Sequence, residues 1–356
     1  MWQPSPEREQ QYLDDAAACR SLLQGGSKTF FAASLLLPKD LRDAATVLYG
    51  FCRQVDDAID LDDGKAAALE GLRERLDRAY GGVPLNTPVD RAFSHVVASY
   101  RMPRTLPDAL LEGMAWDAEG RQYHDLSGLL DYATRVAGTV GAMMAVLMGA
   151  RSFEAVSRAC DLGVAMQLSN IARDVGEDAR AGRLYLPRDW MLAAGLDPDA
   201  WLREPVWSEE LAQVVERLLS VAEGLYARAE SGIAGLDLGY RPAIFAARHL
   251  YAEIGEEVAR RNCDSISQRA VVPSGRKAQL LCRALMDALV RRPSASVQPL
   301  EETRYLVRAV SDMPMATPAI ASLDLGMPPW WQLGQRVERM IVILGEVDQR
   351  RQMGRS

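Results

Sequence analysis

The sequence predicts an all-α fold built as one helical domain, and three observations carry that reading. Strand signals are scarce along the 356 residues. Long stretches rich in Ala, Leu, Arg and Glu repeat apolar residues at i, i+3, i+4 and i+7, the period of a helix with one buried face. Helix breakers gather in a few short segments instead of spreading through the chain.

Taken in order, Pro38 followed by Lys39 and Asp40 marks a helix start. The run Gly81-Gly82-Val83-Pro84-Leu85-Asn86-Thr87-Pro88 is a loop, and further breaks fall near Pro103, from Gly182 to Pro187, near Pro205 and near Pro273. The longest uncharged stretch, Val136 to Ala150, lies between Arg135 and Arg151. It is shorter than the roughly 20 apolar residues of a membrane-spanning helix, so it reads as a buried core helix. Past about Arg292 the texture changes to Pro, Ser and Met, and the end is polar and basic. The reading places the domain at residues 10–292 and leaves 293–356 as an extension, partly helical or flexible, peripheral to the chemistry. There is no internal repeat of the kind that builds a solenoid.

A composition of 48% hydrophobic and 25% charged residues is that of a packed globular protein. The net charge of −7 argues against nucleic acid as a partner, because displacing counterions from phosphates takes a basic surface. An anionic ligand must therefore be met by local cations. Five cysteines without a CxxC pair fit reduced thiols in a cytoplasm. The N-terminus, Met1 to Arg8, lacks the basic and then apolar pattern of a signal peptide, so the expectation is a cytoplasmic protein.

Two acidic stripes stand out. In Arg53-Gln54-Val55-Asp56-Asp57-Ala58-Ile59-Asp60, Asp56 and Asp60 lie at i and i+4 on one helical face, with Arg53 one turn earlier. In the segment from Gln167 to Asp178, the residues Gln167, Asn170, Asp174 and Asp178 recur at helical intervals within otherwise apolar sequence. Stacked carboxylates repel, and a polar stripe on a core-like helix is costly unless partners, water or ions satisfy it. Hard oxygen ligands on two helices suit Mg²⁺, which takes one or two carboxylates together with substrate phosphate oxygens. The plainer alternative makes both stripes solvated helix faces.

With these stripes the sequence resembles the squalene and phytoene synthase family over about residues 27–276. The likeness is carried by Leu48-Tyr49-Gly50-Phe51-Cys52-Arg53-Gln54-Val55-Asp56-Asp57, by Val136-Ala137-Gly138-Thr139-Val140-Gly141, and by Asn170-Ile171-Ala172-Arg173-Asp174-Val175-Gly176-Glu177-Asp178 with Gly182-Arg183-Leu184-Tyr185-Leu186-Pro187. The resemblance implies an isoprenoid synthase-type helical bundle around a deep apolar cavity. It implies a prenyltransferase that joins two geranylgeranyl diphosphates head to head, with farnesyl diphosphate as the rival substrate. Asp56, Asp60, Asp174 and Asp178 would be the ligands of Mg²⁺, or of Mn²⁺ in its place, and no nicotinamide cofactor is expected. Ser27, Lys28, Arg53, Arg173, Tyr251 and Arg269 would contact diphosphate, with Gln167 and Asn170 orienting water or phosphate.

By the same resemblance Tyr132, which precedes Val136, Thr139 and Val140 on one helical face, assists formation of a cyclopropyl intermediate. Ser34 sets the room for the chain, and Val136 and Val140 line the cavity. Each role has a structural alternative: an Arg173–Glu177 pair at i+4, a core Tyr132 bonded to backbone, Gln167 and Asn170 as caps or core hydrogen bonds, and Ser34 facing a neighbouring helix. The chain departs from the family pattern at Ala133, Thr134 and Arg135, where a cysteine and small or aromatic residues are frequent. His95, His124 and His249 share no motif and receive no role. The lipophilic substrate and product imply peripheral contact with a membrane. Oligomeric state is not legible from the sequence.

Overall fold

The computed structural model describes residues 6–26, 33–60, 65–292 and 298–313. Helices α1 (Pro6–Gly26), α2 (Lys39–Asp60), α3 (Lys65–Tyr80), α4 (Pro88–Ser99) and α5 (Thr105–Ala118) form the first half. They are followed by α6 (Leu126–Ala133), a π-helical turn (Thr134–Gly138), α7 (Thr139–Leu147) and α8 (Phe153–Arg180). The second half holds α9 (Arg188–Ala193), α10 (Pro198–Arg203), α11 (Glu209–Gly235), α12 (Arg241–Arg260) and α13 (Ser274–Val290). A 3₁₀ turn (Glu301–Thr303) and α14 (Arg304–Ser311) close the described chain, which contains no strand.

The breaks fall where turn chemistry puts them. Ser152, Ser208 and Asp125 each place a side-chain oxygen on an amide of the next turn and so start α8, α11 and α6. Pro88 and Pro198 occupy first-turn positions where no amide hydrogen is needed. The uncharged stretch after Arg135 differs from the single helix expected, because a π turn precedes α7. Arg135 anchors that turn: it pairs with Glu112 at 3.0 Å and with Asp131, and lies 4.2 Å above the ring of Trp116. The departure from the family pattern at residues 133–135 thus coincides with an extra residue in the helical turn, a common local device near functional sites.

Helix α8 is the axis of the bundle, and α7, α11, α12 and α14 pack around it. A methyl on Gly141 would stand 2.1 Å from the carbonyl oxygen of Ala159, and one on Gly163 would stand 2.2 Å from that of Ala137. These two glycines let the π turn and α7 meet α8 backbone to backbone. Helix α11 runs antiparallel to α8, as the pairing of Tyr226 with Ser169, Arg228 with Asp161 and Gly232 with Arg158 shows. Part of the C-terminal extension also joins this core: Thr303, Leu306, Val307 and Val310 are buried, and Ser127 donates to Glu302 at 2.7 Å. Among the described residues no helix is long and apolar enough to cross a membrane.

Candidate active site

A cavity of about 300 Å³ opens between α2, the π turn with α7, α8, α11 and α12. Its walls are mostly apolar, with Leu48, Val136, Val140, Met144, Leu162 and Ile244 among them. At one end stand Gln167, Asn170 and Tyr251, so five of the residues singled out in the sequence border one space. Ser34 and Tyr132 are buried but are not among its lining residues.

One turn beyond Asn170, α8 presents Asp174 and then Asp178. Arg173 donates to both Asp174 oxygens, at 2.8 and 2.5 Å, and Arg269 does the same at 2.7 and 3.2 Å. Burial pushes the Asp174 carboxyl upward, but hydrogen bonds and charge from the two guanidiniums outweigh it and hold it below the ordinary range. The ion pair drawn from the sequence between Arg173 and Glu177 is not the one observed; Arg269 reaches Glu177 at 3.3 Å instead. Asp178 behaves in the opposite way. Burial and then the charge of Asp174 raise it to about 7, Asp117 and Glu177 add to the rise, and Arg183 opposes them.

The loop that brings Arg269 to α8 is fastened across the helix. The Gly176 amide donates to the Ser265 carbonyl at 3.1 Å, and Ser265 Oγ donates to the Ala172 carbonyl at 2.7 Å. Only glycine fits at 176, because a methyl there would stand 2.5 Å from the Ser265 oxygen.

Asp117 on α5 was not singled out in the sequence. It accepts from Tyr132 at 2.7 Å and from Tyr185 at 2.8 Å, one phenol on each oxygen. The rings of Tyr123, Tyr132 and Tyr185 stand 5.1 to 6.2 Å apart, and the buried Tyr123 hydroxyl has no hydrogen-bond partner among the described residues. Burial and then Asp117 push the Tyr132 phenol well above its ordinary value. A signal was present: Asp117 directly follows the uncharged run Gly113-Met114-Ala115-Trp116, and an acid beside apolar helix calls for a partner.

The first acidic stripe lies at the end of α2. Positions 56 and 60 continue the helical register of Tyr49 and Cys52, which line the cavity, and Arg53 is an exposed residue of the same helix. The side chains of Asp56 and Asp60, together with Ser27 and Lys28, lie outside the described residues. Among the described residues no three His, Cys, Asp or Glu side chains are gathered to hold a metal ion. Asp178 still fits a divalent cation, because it is a hard oxygen donor whose carboxylate form is opposed by neighbouring negative charge.

The sequence profile of the squalene/phytoene synthase family matches residues 23–277. The chain is 54% identical over 266 residues to the phytoene synthase of Cereibacter sphaeroides, covering 72% of this chain and 75% of that one. It is 50% identical over 305 residues to the phytoene synthase of Rhodobacter capsulatus, covering 83% and 90%. Among solved structures, a dehydrosqualene synthase in complex with ligand aligns with a TM-score of 0.71 at 34% identity, over 78% of this chain and 97% of that one. A squalene synthase from Alicyclobacillus acidocaldarius aligns at 0.66 and 25% identity, over 70% and 95%.

Proposed function

The chain belongs to the squalene/phytoene synthase family, and on that premise we propose that it condenses two geranylgeranyl diphosphates head to head, through a cyclopropylcarbinyl diphosphate, to phytoene. One observation supports this reading above the others: an apolar cavity ends in Gln167, Asn170 and Tyr251, one turn from carboxylates flanked by Arg173 and Arg269. Such a site separates a hydrocarbon chain from a diphosphate group.

Asp174 and Asp178, with Asp56 and Asp60 from α2, are the residues proposed to hold Mg²⁺, or Mn²⁺ in its place. The ion supplies Lewis-acid stabilisation of the departing diphosphate, worth several kcal/mol. Arg173 and Arg269, which hold Asp174 here, are placed so that their guanidiniums would supply charge-assisted hydrogen bonds to phosphate oxygens beside it. Ser27, Lys28 and Arg53 are proposed to complete the anion contacts. Val136, Val140 and Met144 keep water from the carbocations formed as each diphosphate leaves.

Tyr132 donates a hydrogen bond to Asp117 from behind the cavity lining, so its proposed part in the first stage is to hold Asp117 and the packing around it in position, not to release a proton to substrate. The reaction ends in proton loss and needs no reductant. Its lipophilic substrate and product place it at a membrane surface facing the cytoplasm.

The test is product mass after separate incubation with geranylgeranyl and farnesyl diphosphates, with and without Mg²⁺. The expected outcome is a metal-dependent forty-carbon hydrocarbon from the first. A thirty-carbon product formed preferentially from farnesyl diphosphate would replace this reading with that of a dehydrosqualene-forming enzyme.

A further inference from the structure

Helix α13 buries Leu280, Leu281, Ala284 and Ala288 in the bundle against α12. Its opposite face carries Cys282, Met286 and Leu289 at i, i+4 and i+7, with Val290 beside them. Met286, Leu289 and Val290 are 61%, 65% and 68% exposed. A surface helix ordinarily has one apolar stripe, turned to the core. A second stripe on the solvent side calls for a second partner. Exposed apolar residues such as Val83 and Leu192 stand on other elements and form no such row.

The charge around the stripe says what that partner is. Between residues 274 and 292 there are five cations, Arg276, Lys277, Arg283, Arg291 and Arg292, against the single acid Asp287, in a chain whose net charge is −7. Three of the guanidiniums lean on carboxylates: Arg276 on Glu253 at 2.9 Å, Arg283 on Asp287 at 3.5 Å and Arg291 on Glu230 at 3.2 Å. Each remains about half exposed, and Arg292 is exposed at the helix end. An apolar row flanked by cations is the surface that settles into the headgroup region of an anionic bilayer. A nucleic acid would have no use for the apolar row, and a neutral protein partner none for the cations.

We propose that the outer face of α13 docks this enzyme on an anionic lipid bilayer, with Met286, Leu289 and Val290 entering the acyl boundary and the flanking arginines meeting headgroup phosphates. The benefit to catalysis, access to a lipid-dissolved substrate and an apolar sink for the product, rests on the proposed function. The docking itself does not.

The experiment is sedimentation of the full chain with phosphatidylcholine vesicles, with and without phosphatidylglycerol, in the absence of substrate. The protein is expected to bind the anionic vesicles, with salt weakening the attachment. Met286→Glu/Leu289→Glu should lower the bound fraction at least about ten-fold, since it places charge in the apolar row. Val83→Glu should leave it unchanged. Turnover of detergent-dispersed substrate should be the same in all three proteins, because none of these residues touches the cavity. Unaltered vesicle binding by the double variant overturns the proposal.

Absence of binding by the unsubstituted chain overturns it as well. Light scattering then tests a second copy as the occupant: a dimer that the double variant dissociates assigns the face to it, and a monomer throughout excludes it. Vesicle binding without turnover of geranylgeranyl diphosphate would sink the catalytic reading and leave the docking face standing.

Discussion

The two halves of α8 handle buried charge in opposite ways. In the N-terminal half, Asp161 is fully buried between Arg158 at 3.2 Å and Arg228 at 3.0 Å, and Arg228 also donates to the Gln298 carbonyl. Burial keeps the Asp161 carboxyl above its ordinary value, but both guanidiniums pull against that rise. In the C-terminal half, burial raises Asp178, and the charge of Asp174 raises it further against the single opposing pull of Arg183. One helix therefore carries a carboxylate whose charge is answered within the protein and another whose charge is left for something from outside. The difference separates architecture from function: a balanced buried ion fastens helices, whereas an unbalanced one marks where a cation is required.

The largest test of this contrast is Asp178→Asn. It should lower turnover by roughly 10³-fold or more, consistent with loss of several kcal/mol of leaving-group stabilisation, while the melting temperature stays level or rises. Steady-state kinetics beside a thermal melt checks it, and a fall in melting temperature with little loss of turnover would reverse the assignment. Asp161→Asn should do the converse. Removing the buried charge that Arg158 and Arg228 share at Asp161 should cost about 3–5 kcal/mol in stability, read by urea denaturation, with activity per folded molecule retained.

Gly163→Ala probes the wall between the two halves. Its methyl is forced toward the Ala137 carbonyl, so a loss of about 1–3 kcal/mol is expected on the same denaturation assay.

The remaining effects are in pH. Asp178 titrates near 7 in the folded protein and near 3.8 as an ordinary carboxyl. Between those values the folded state holds a proton that the unfolded state has released, so metal-free stability should fall as pH rises from about 4 to about 7. The fall should vanish in Asp178→Asn. His249 has the opposite sign: burial, then Arg248 and Arg283, lower it to about 4, against the hydrogen bond to Asp287. The unfolded state takes up a proton first, so its contribution is present above about 6.5 and is lost as pH falls through about 4. Denaturation curves of the parent and of His249→Gln across that range isolate it.

The helical class and most breaks were legible because local chemistry dictates them: Pro38, the glycines at 81 and 82, and Pro187 act within a few residues of themselves. The second acidic stripe was legible for the same reason, since four polar residues at helical spacing in apolar sequence announce a shared face. What the sequence withheld depends on contacts between distant elements. Asp117 is paired by phenols 15 and 68 residues away. The π turn, Thr134–Gly138, adds one residue at the start of the uncharged stretch without any glycine–proline break to mark it, and the contacts of Arg135 that anchor it come from Glu112 and Trp116 on another helix. Arg173 had a ready partner at i+4 in Glu177, yet it binds its own neighbour Asp174, and Arg269, arriving from the far loop, reaches both Asp174 and Glu177.

The glycine seam between α7 and α8 has a consequence for how this enzyme can change over evolutionary time. At 141 and 163 there is no space for even one added carbon, so the cavity cannot be widened or narrowed there by small steps. Variation in the length of chain accepted must instead be drawn from pliable neighbours on the same wall. Met144, Met148 and Met166 are unbranched, can bend without disturbing the backbone, and can each be exchanged one at a time. Substrate range would then shift through these methionines, against a backbone seam that leaves no room to move.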